Sequence, residues 1–210
     1  MAGFVLFGLV VSLIVISLMT IIQRFKQNLL GDEGYLMFTL PVSTEKLILS
    51  KLITAAVWVI ISFVVGMISG LFVAASEELF SAIGEAMNYL PRILDNIRSE
   101  HYIWLVLGLI CLLLQLAYFI LLVYTSISVS QMAVFNKHRG WVSIISFIAL
   151  STIVNIIIGY VFKAIFGTSD YVLQTNTTLV LSVAVVTNAL LCAGLFAASD
   201  YLLKHHLNIE

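Results

Sequence analysis

The chain has 210 residues, 61% of them hydrophobic and 10% charged, with a formal net charge of −1. A soluble domain carries about 45–50% apolar and about 25% charged residues, and one of this size leaves much of its surface in water; this excess of apolar side chains calls for a bilayer as solvent. The same arithmetic argues against a disordered tail, a coiled coil or a disulfide scaffold, and a near-neutral chain offers no basic field to nucleic acid.

Crossing the hydrocarbon as a helix takes about 20 apolar residues, and five stretches reach that length. Each is a continuous apolar run without the alternation of a barrel strand, so the expected fold is an all-α integral membrane protein, one transmembrane domain over residues 1–210. The first stretch runs from Ala2 to Ile22, with no charge before Arg24. It is too long for a signal peptide, has no basic residue before it and is followed by no A-x-A cleavage site.

Residues 23–51, QRFKQNLLGDEGYLMFTLPVSTEKLILSK, form more than a simple connection. Gly31 and Gly34 bracket Asp32 and Glu33, which reads as one helix ending and another starting with acids in its first turn. Tyr35 to Leu40 is apolar but far too short to span. Pro41 lacks an N–H and restricts Leu40, so the helix stops there. Ser43 or Thr44 can cap the next helix, with Glu45 in its first turn. A short amphipathic helix of this kind either rests among the headgroups or buries its aromatic residues in a cytoplasmic partner.

The second stretch, Leu52–Ala75, contains Gly66 and Gly70 at G-x-x-x-G spacing, which lets backbones approach within the subunit or at a dimer seam. Residues 76–102 place Leu79, Phe80, Ile83, Met87, Leu90, Ile93, Leu94 and Ile97 between acids. Spacings of three and four predict amphipathic helix on either side of Pro91, lying at the outer interface or forming a lid over the external mouth. The third stretch, Ile103 to about Phe135, is over-long. Its polar end (Thr125, Ser126, Ser128, Ser130, Gln131) is expected to emerge into the interface or a cavity. Trp141–Phe162 and Thr178–Leu203 are the fourth and fifth, and Cys111 and Cys192, inside apolar runs, read as small buried hydrophobes.

Lysine and arginine set the orientation. Arg24, Lys26, Lys46 and Lys51 lie between the first two stretches, Lys137 and Arg139 after the third, and Lys204 after the fifth. The positive-inside rule therefore puts residues 23–51, 136–140 and 204–210, the C-terminus included, in the cytoplasm. An outside N-terminus with an odd number of spans implies that a preceding helix is missing.

Polar residues inside the spans are costly and so draw attention: Gln115, Thr152, Asn155, Thr187 and Asn188. Interhelical hydrogen bonding accounts for Gln115 and Asn155; the alternative is a translocation path, for which Gln115, Thr152, Asn155 and Asn188 are the candidates. No Asp, Glu or His lies near the middle of a span, which disfavours an ion-coupled transporter. Enzyme chemistry has no foothold either. His101, His138, His205 and His206 sit at membrane edges, Ser69 in G-M-I-S-G has no histidine at its depth, no metal-ligand cluster stands out, and the chain has no phosphate-binding G-x-x-x-x-G-K-[ST] loop.

The stretch D-E-G-Y-L-M-F-T-L-P-V-S, with Ser50-Lys51 ahead of the second span, resembles the ABC-2-type permeases of Gram-positive bacterial ABC transporters, especially small permeases linked to antimicrobial-peptide or multidrug export. The likeness is specific over residues 23–52 and topological elsewhere. It implies six helices with both ends cytoplasmic, the first of them absent here, and a coupling helix that seats in a separate ATP-binding subunit. Carried over by position, Gly31, Asp32, Glu33, Gly34, Tyr35, Leu36 and Phe38 are the coupling contacts, and Pro41 and Ser43 shape the turn behind them. The expected function is thus the permease subunit of an exporter for an amphiphilic substrate, paired with a second copy or a paralogue in the cell membrane. ATP would be bound by the partner, with no cofactor on this chain. The alternative is a membrane anchor or scaffold that recruits a cytoplasmic protein through residues 30–40 without transporting anything.

Overall fold

A computed structural model of the chain describes residues 2–30, 43–73, 99–132, 139–167 and 177–205, together with several positions between 81 and 91. Five long helices account for nearly all of them: α1 (Ala2–Leu30), α2 (Thr44–Val73), α3 (Ser99–Ser130), α4 (Arg139–Phe166) and α5 (Thr177–His205). No strand occurs among the described residues. Four of the helices, α2 to α5, are long and apolar enough to cross a membrane. In α1 the described apolar run is the shorter Val11–Gln23.

Helix ends follow local chemistry. Ser43 stands at the N-cap of α2, where its carbonyl accepts the N–H groups of Lys46 (3.0 Å) and Leu47 (3.3 Å), and Glu45 follows in the first turn, complementing the helix dipole. α4 ends at Gly167, whose φ of 74° lets its N–H turn back to the Lys163 carbonyl at 2.9 Å. That is the left-handed glycine stop, a conformation that costs glycine little.

The surface is apolar. Large hydrophobic side chains such as Phe63, Phe72, Leu105, Leu109, Ile145 and Leu190 are exposed, whereas Thr125, Ser126, Ser128, Ser130, Gln131 and Ser199 are buried. A soluble core shows the reverse. Trp141 and Tyr160, both exposed on α4, are roughly 28 Å apart at 1.5 Å per residue, close to the thickness of the hydrocarbon and fitting two aromatic belts.

α3 is the central helix, with α5 parallel to it along its whole length. The seam runs from Trp104 Nε1 donating to Thr178 Oγ1 (2.8 Å), through Cys192 Sγ to the Leu114 carbonyl (3.4 Å), to Thr125 Oγ1 and Ser199 Oγ at 2.9 Å. α4 runs antiparallel beside α3, fixed by the edge-on pair Phe119–Phe147 at 6.2 Å. α1 and α2 form an antiparallel pair in which Gly66 packs directly on the Leu13 side chain. That pair meets α3 where the Phe25 ring stacks on Tyr124 at 4.0 Å and the Tyr124 hydroxyl donates to the Lys51 carbonyl at 3.1 Å. The Lys204 ammonium reaches Asp200 at 2.6 Å and Glu45 at 3.5 Å, tying α5 to α2.

These contacts gather the end of α1, the start of α2, and the ends of α3 and α5 at one end of the bundle. Lys46, Lys51 and Lys204 lie there together, as alternating spans require. We call it the basic end.

One expectation is corrected here. The polar end of α3 is enclosed by protein rather than open to the interface or a cavity, and the helix stops at Ser130. Thr125, Ser126, Ser128 and Ser130 are buried and bond to carbonyls of their own helix, those of Leu121, Leu122, Tyr124 and Ile127. A hydroxyl that returns its proton to the preceding turn carries little desolvation cost into the interior. Small side chains of this kind also let helices approach closely. Of the 76–102 segment, the described positions between 81 and 91 are helical, and Met87 and Tyr89 are exposed.

Candidate functional site

The basic half of the bundle is closed and the opposite half is not. Ile21, Phe25, Ile48, Ile120, Leu121, Leu122, Tyr124 and Leu203 pack into a continuous core. Beyond it, α1 and α2 stand off from α3 and leave a cleft of about 620 Å³. Its floor is Ile21, Leu116 and Phe119, and its α2 wall includes Phe63, Met67 and Leu71, which reach the outer surface of the bundle. Apart from backbone, the only polar groups lining it among the described residues are the hydroxyls of Ser17 and Ser62. Taking the Leu13–Gly66 contact as register and moving one turn along each antiparallel helix puts those two serines level with each other. A second cavity of about 190 Å³ lies on the other face of the α1–α2 contact, beside Thr20 and Trp58, and shares the same two serines. The α1–α2 pair is therefore loosely packed over its middle.

A cleft of this size, apolar except for two hydroxyls, suits the acyl or aromatic part of an amphiphile. It holds no acid–base pair among the described residues. Among the described residues there is also no group of three or more His, Cys, Asp or Glu side chains that could hold a metal ion.

The residues expected to line a path occupy one depth but not one surface. One turn from the Phe119–Phe147 pair, Gln115 of α3 is level with Ser151 of α4; a further turn brings Cys111 level with Asn155. Asn188 Nδ2 reaches Cys111 Sγ at 3.8 Å and the Ala184 carbonyl at 3.0 Å. So Gln115, Thr152, Asn155 and Asn188 form a polar layer across the bundle. Within one chain, Gln115, Thr152 and Asn155 face outward, while Asn188 sits in the α3–α5 seam. None lines the cleft. Interhelical bonding, the other expectation for Gln115 and Asn155, is made by neither among the described residues; Asn188 makes one instead. Thr152 Oγ1 and Asn155 Nδ2 return to the carbonyls of Ile148 (2.7 Å) and Ser151 (2.8 Å) on their own helix.

Of the coupling residues, Ser43 is described and exposed at the start of α2. Gly31, Asp32, Glu33, Gly34, Tyr35, Leu36, Phe38 and Pro41 lie outside the described residues. Of the G-x-x-x-G pair, Gly66 makes the close approach to α1, while a Cβ on Gly70 would meet nothing within 4 Å. Sequence reasoning did not single out Ser17, Ser62, Phe25 or Tyr124. A serine in an apolar run and an aromatic near a span's end are ordinary there, and only the neighbouring helices distinguish these four.

No family model matches the chain, and neither a curated protein nor a solved structure matches it. Its four apolar helices of spanning length mark it as a multi-pass helical membrane protein.

Proposed function

We propose that the chain is the permease subunit of a bacterial ATP-binding-cassette exporter for an amphiphilic substrate, such as an antimicrobial peptide, a drug or a lipid-like molecule. In this reading α1 is a fifth span, two copies or one copy and a paralogue form the path, and ATP is hydrolysed on a separate subunit. Gly31, Asp32, Glu33, Gly34, Tyr35, Leu36 and Phe38 seat against that subunit at the cytoplasmic face, where the basic end and the C-terminus lie.

The observation that carries this reading is the place of the cleft. Its two outer walls are α1 and α2, and the segment joining those helices is the one that bears D-E-G-Y-L-M-F-T-L-P-V-S. A push on that segment reaches both walls directly. The packed contact of Phe25, Tyr124 and Lys51 then serves as the fulcrum about which the pair rocks against α3. Apolar walls with two hydroxyls suit an amphiphile better than a sugar or an ion.

The second reading, a non-transporting anchor that recruits a partner through residues 30–40, draws on the closed basic end and on the outward-facing amides. One experiment separates the two. The tagged chain, extracted from native membranes in mild detergent, is expected to bring down a soluble ABC ATPase. The Tyr35→Asp, Phe38→Asp double variant is expected to insert normally and lose that ATPase. Recovery of no ATPase turns the assignment to the anchor, and undiminished recovery by the double variant overturns the coupling contacts.

A further inference from the structure

The α4 face that carries Thr152 and Asn155 is chemically incomplete in a single chain. Ile148, Thr152, Asn155 and Gly159 follow one another at spacings of four, three and four, so they form one stripe on the helix, and all four are exposed. Counted from the exposed Tyr160, Asn155 lies about 8 Å and Thr152 about 12 Å further into the span at 1.5 Å per residue. The Asn155 carboxamide uses one N–H on the Ser151 carbonyl. Its second N–H and its Oδ1 have no partner among the described residues. Hydrocarbon offers none, and polar groups at this depth turn toward protein or an aqueous cavity. Asn188, at the same level, does turn toward protein: its Nδ2 reaches Cys111 Sγ and the Ala184 carbonyl, while its Oδ1 is buried without a partner among the described residues.

A glycine one turn along the stripe is the second observation. Glycine weakens a helix interior relative to alanine, yet Gly159 faces outward, and a Cβ there would meet nothing within 4 Å. Such a residue admits another helix backbone to close range, which is what an amide needs to bond across an interface.

We propose that this stripe is the contact between two copies of the chain, with the Asn155 carboxamides paired across a twofold axis. A carboxamide carries donor and acceptor on one group, so two related by a twofold satisfy each other: Nδ2 of each donates to Oδ1 of the other. A lipid tail can do neither. The inference deepens the reading above at one point, the pairing of two copies. It depends only on the helices lying in a bilayer.

The test needs no ATPase and no substrate, so its failure is distinct from failure of the transporter assignment. In a Cys111→Ala, Cys192→Ala background reconstituted into phosphatidylcholine vesicles at low protein density, Asn155→Cys and Gly159→Cys are each expected to cross-link under mild oxidation into a species of twice the chain mass. Ile157→Cys, exposed on the far side of α4 at nearly the same depth, is expected to stay monomeric. By fluorescence energy transfer between labelled copies, Asn155→Leu should self-associate about tenfold more weakly, the effect of losing both interhelical hydrogen bonds of the pair at the low end of their strength in membranes. Asn155→Gln, which keeps donor and acceptor, should largely restore pairing. Cross-linking of Ile157→Cys as readily as Asn155→Cys, monomers for all three cysteine variants, or unchanged association of Asn155→Leu would each overturn the proposal.

Discussion

From Tyr118 to Ser130, α3 is enclosed by the other four helices; from Tyr102 to Leu113, the same helix leaves Tyr102, Leu105, Leu109 and Leu112 on the surface. Hydrophobicity does not make the difference, since both halves are strongly apolar and lipid solvates a leucine as well as another leucine does. In a bilayer, helices associate where shapes mesh closely and where hydrogen bonds cross between them. The basic half has both: short hydroxyls along α3, the Phe25–Tyr124 stack, and bonds from Tyr124 to Lys51 and between Thr125 and Ser199. The opposite half keeps the α3–α5 seam and opens a cleft beside α1 and α2.

The largest expected effect comes from removing the aromatic centre of the closed half. Tyr124→Ala deletes the stack on Phe25 and the bond to the Lys51 carbonyl, and should cost about 3–5 kcal/mol, the range for a large aromatic truncated in a core. Leu105→Ala, in the open half, should change stability by well under about 1 kcal/mol. Both are read by reversible unfolding in bicelles; equal losses would dissolve the distinction between the halves.

Next in size is a contrast within the α1–α2 pair. Gly66→Leu drives a side chain into Leu13 and should destabilise by about 1–3 kcal/mol, as overpacking does. Gly70→Leu enters open space in the cleft. It should leave the unfolding midpoint almost unchanged while displacing a fluorescent amphiphile bound there. If the two variants behaved alike, the cleft would not be the open site described.

The smallest effect is expected at the Glu45–Lys204 link, where both side chains are well exposed. Surface ion pairs are screened and contribute little, so Glu45→Gln should lower the unfolding midpoint slightly in dilute buffer and not at all in high salt. A salt-independent loss as large as that of Gly66→Leu would mean that this contact clamps α5 to α2.

Much of the fold was legible in the residues. Long charge-free runs with Lys and Arg at alternate ends can only be helices crossing back and forth, and a helix start at Ser43 or Thr44 followed from the residues after Pro41, with Ser43 taking the cap. The fate of the polar end of α3 was not legible. Thr125 to Gln131 reads as membrane exit because polar side chains usually seek water, yet these hydroxyls bond backward to their own helix and become the packing surface. The candidate site was less legible still. Gln115, Asn155 and Asn188 stand out as amides in apolar runs, and they share a depth, but depth in a span is a one-dimensional property. The direction each faces is not.

Composition and charge placement by themselves determined that this protein is helical, membrane-embedded and arranged with its basic segments at one end, because a bilayer leaves a long apolar backbone no other way to satisfy its N–H and C=O groups. The tertiary structure alone decided which faces meet: that Ser126 is buried while Asn155 faces outward, and that α1 and α2 part from α3 above Tyr124. The physical reason is the apolar solvent. In water a helix shows its buried side by hydrophobic periodicity, whereas helices that are apolar all round carry no such mark, and their contacts rest on the fit of particular side chains.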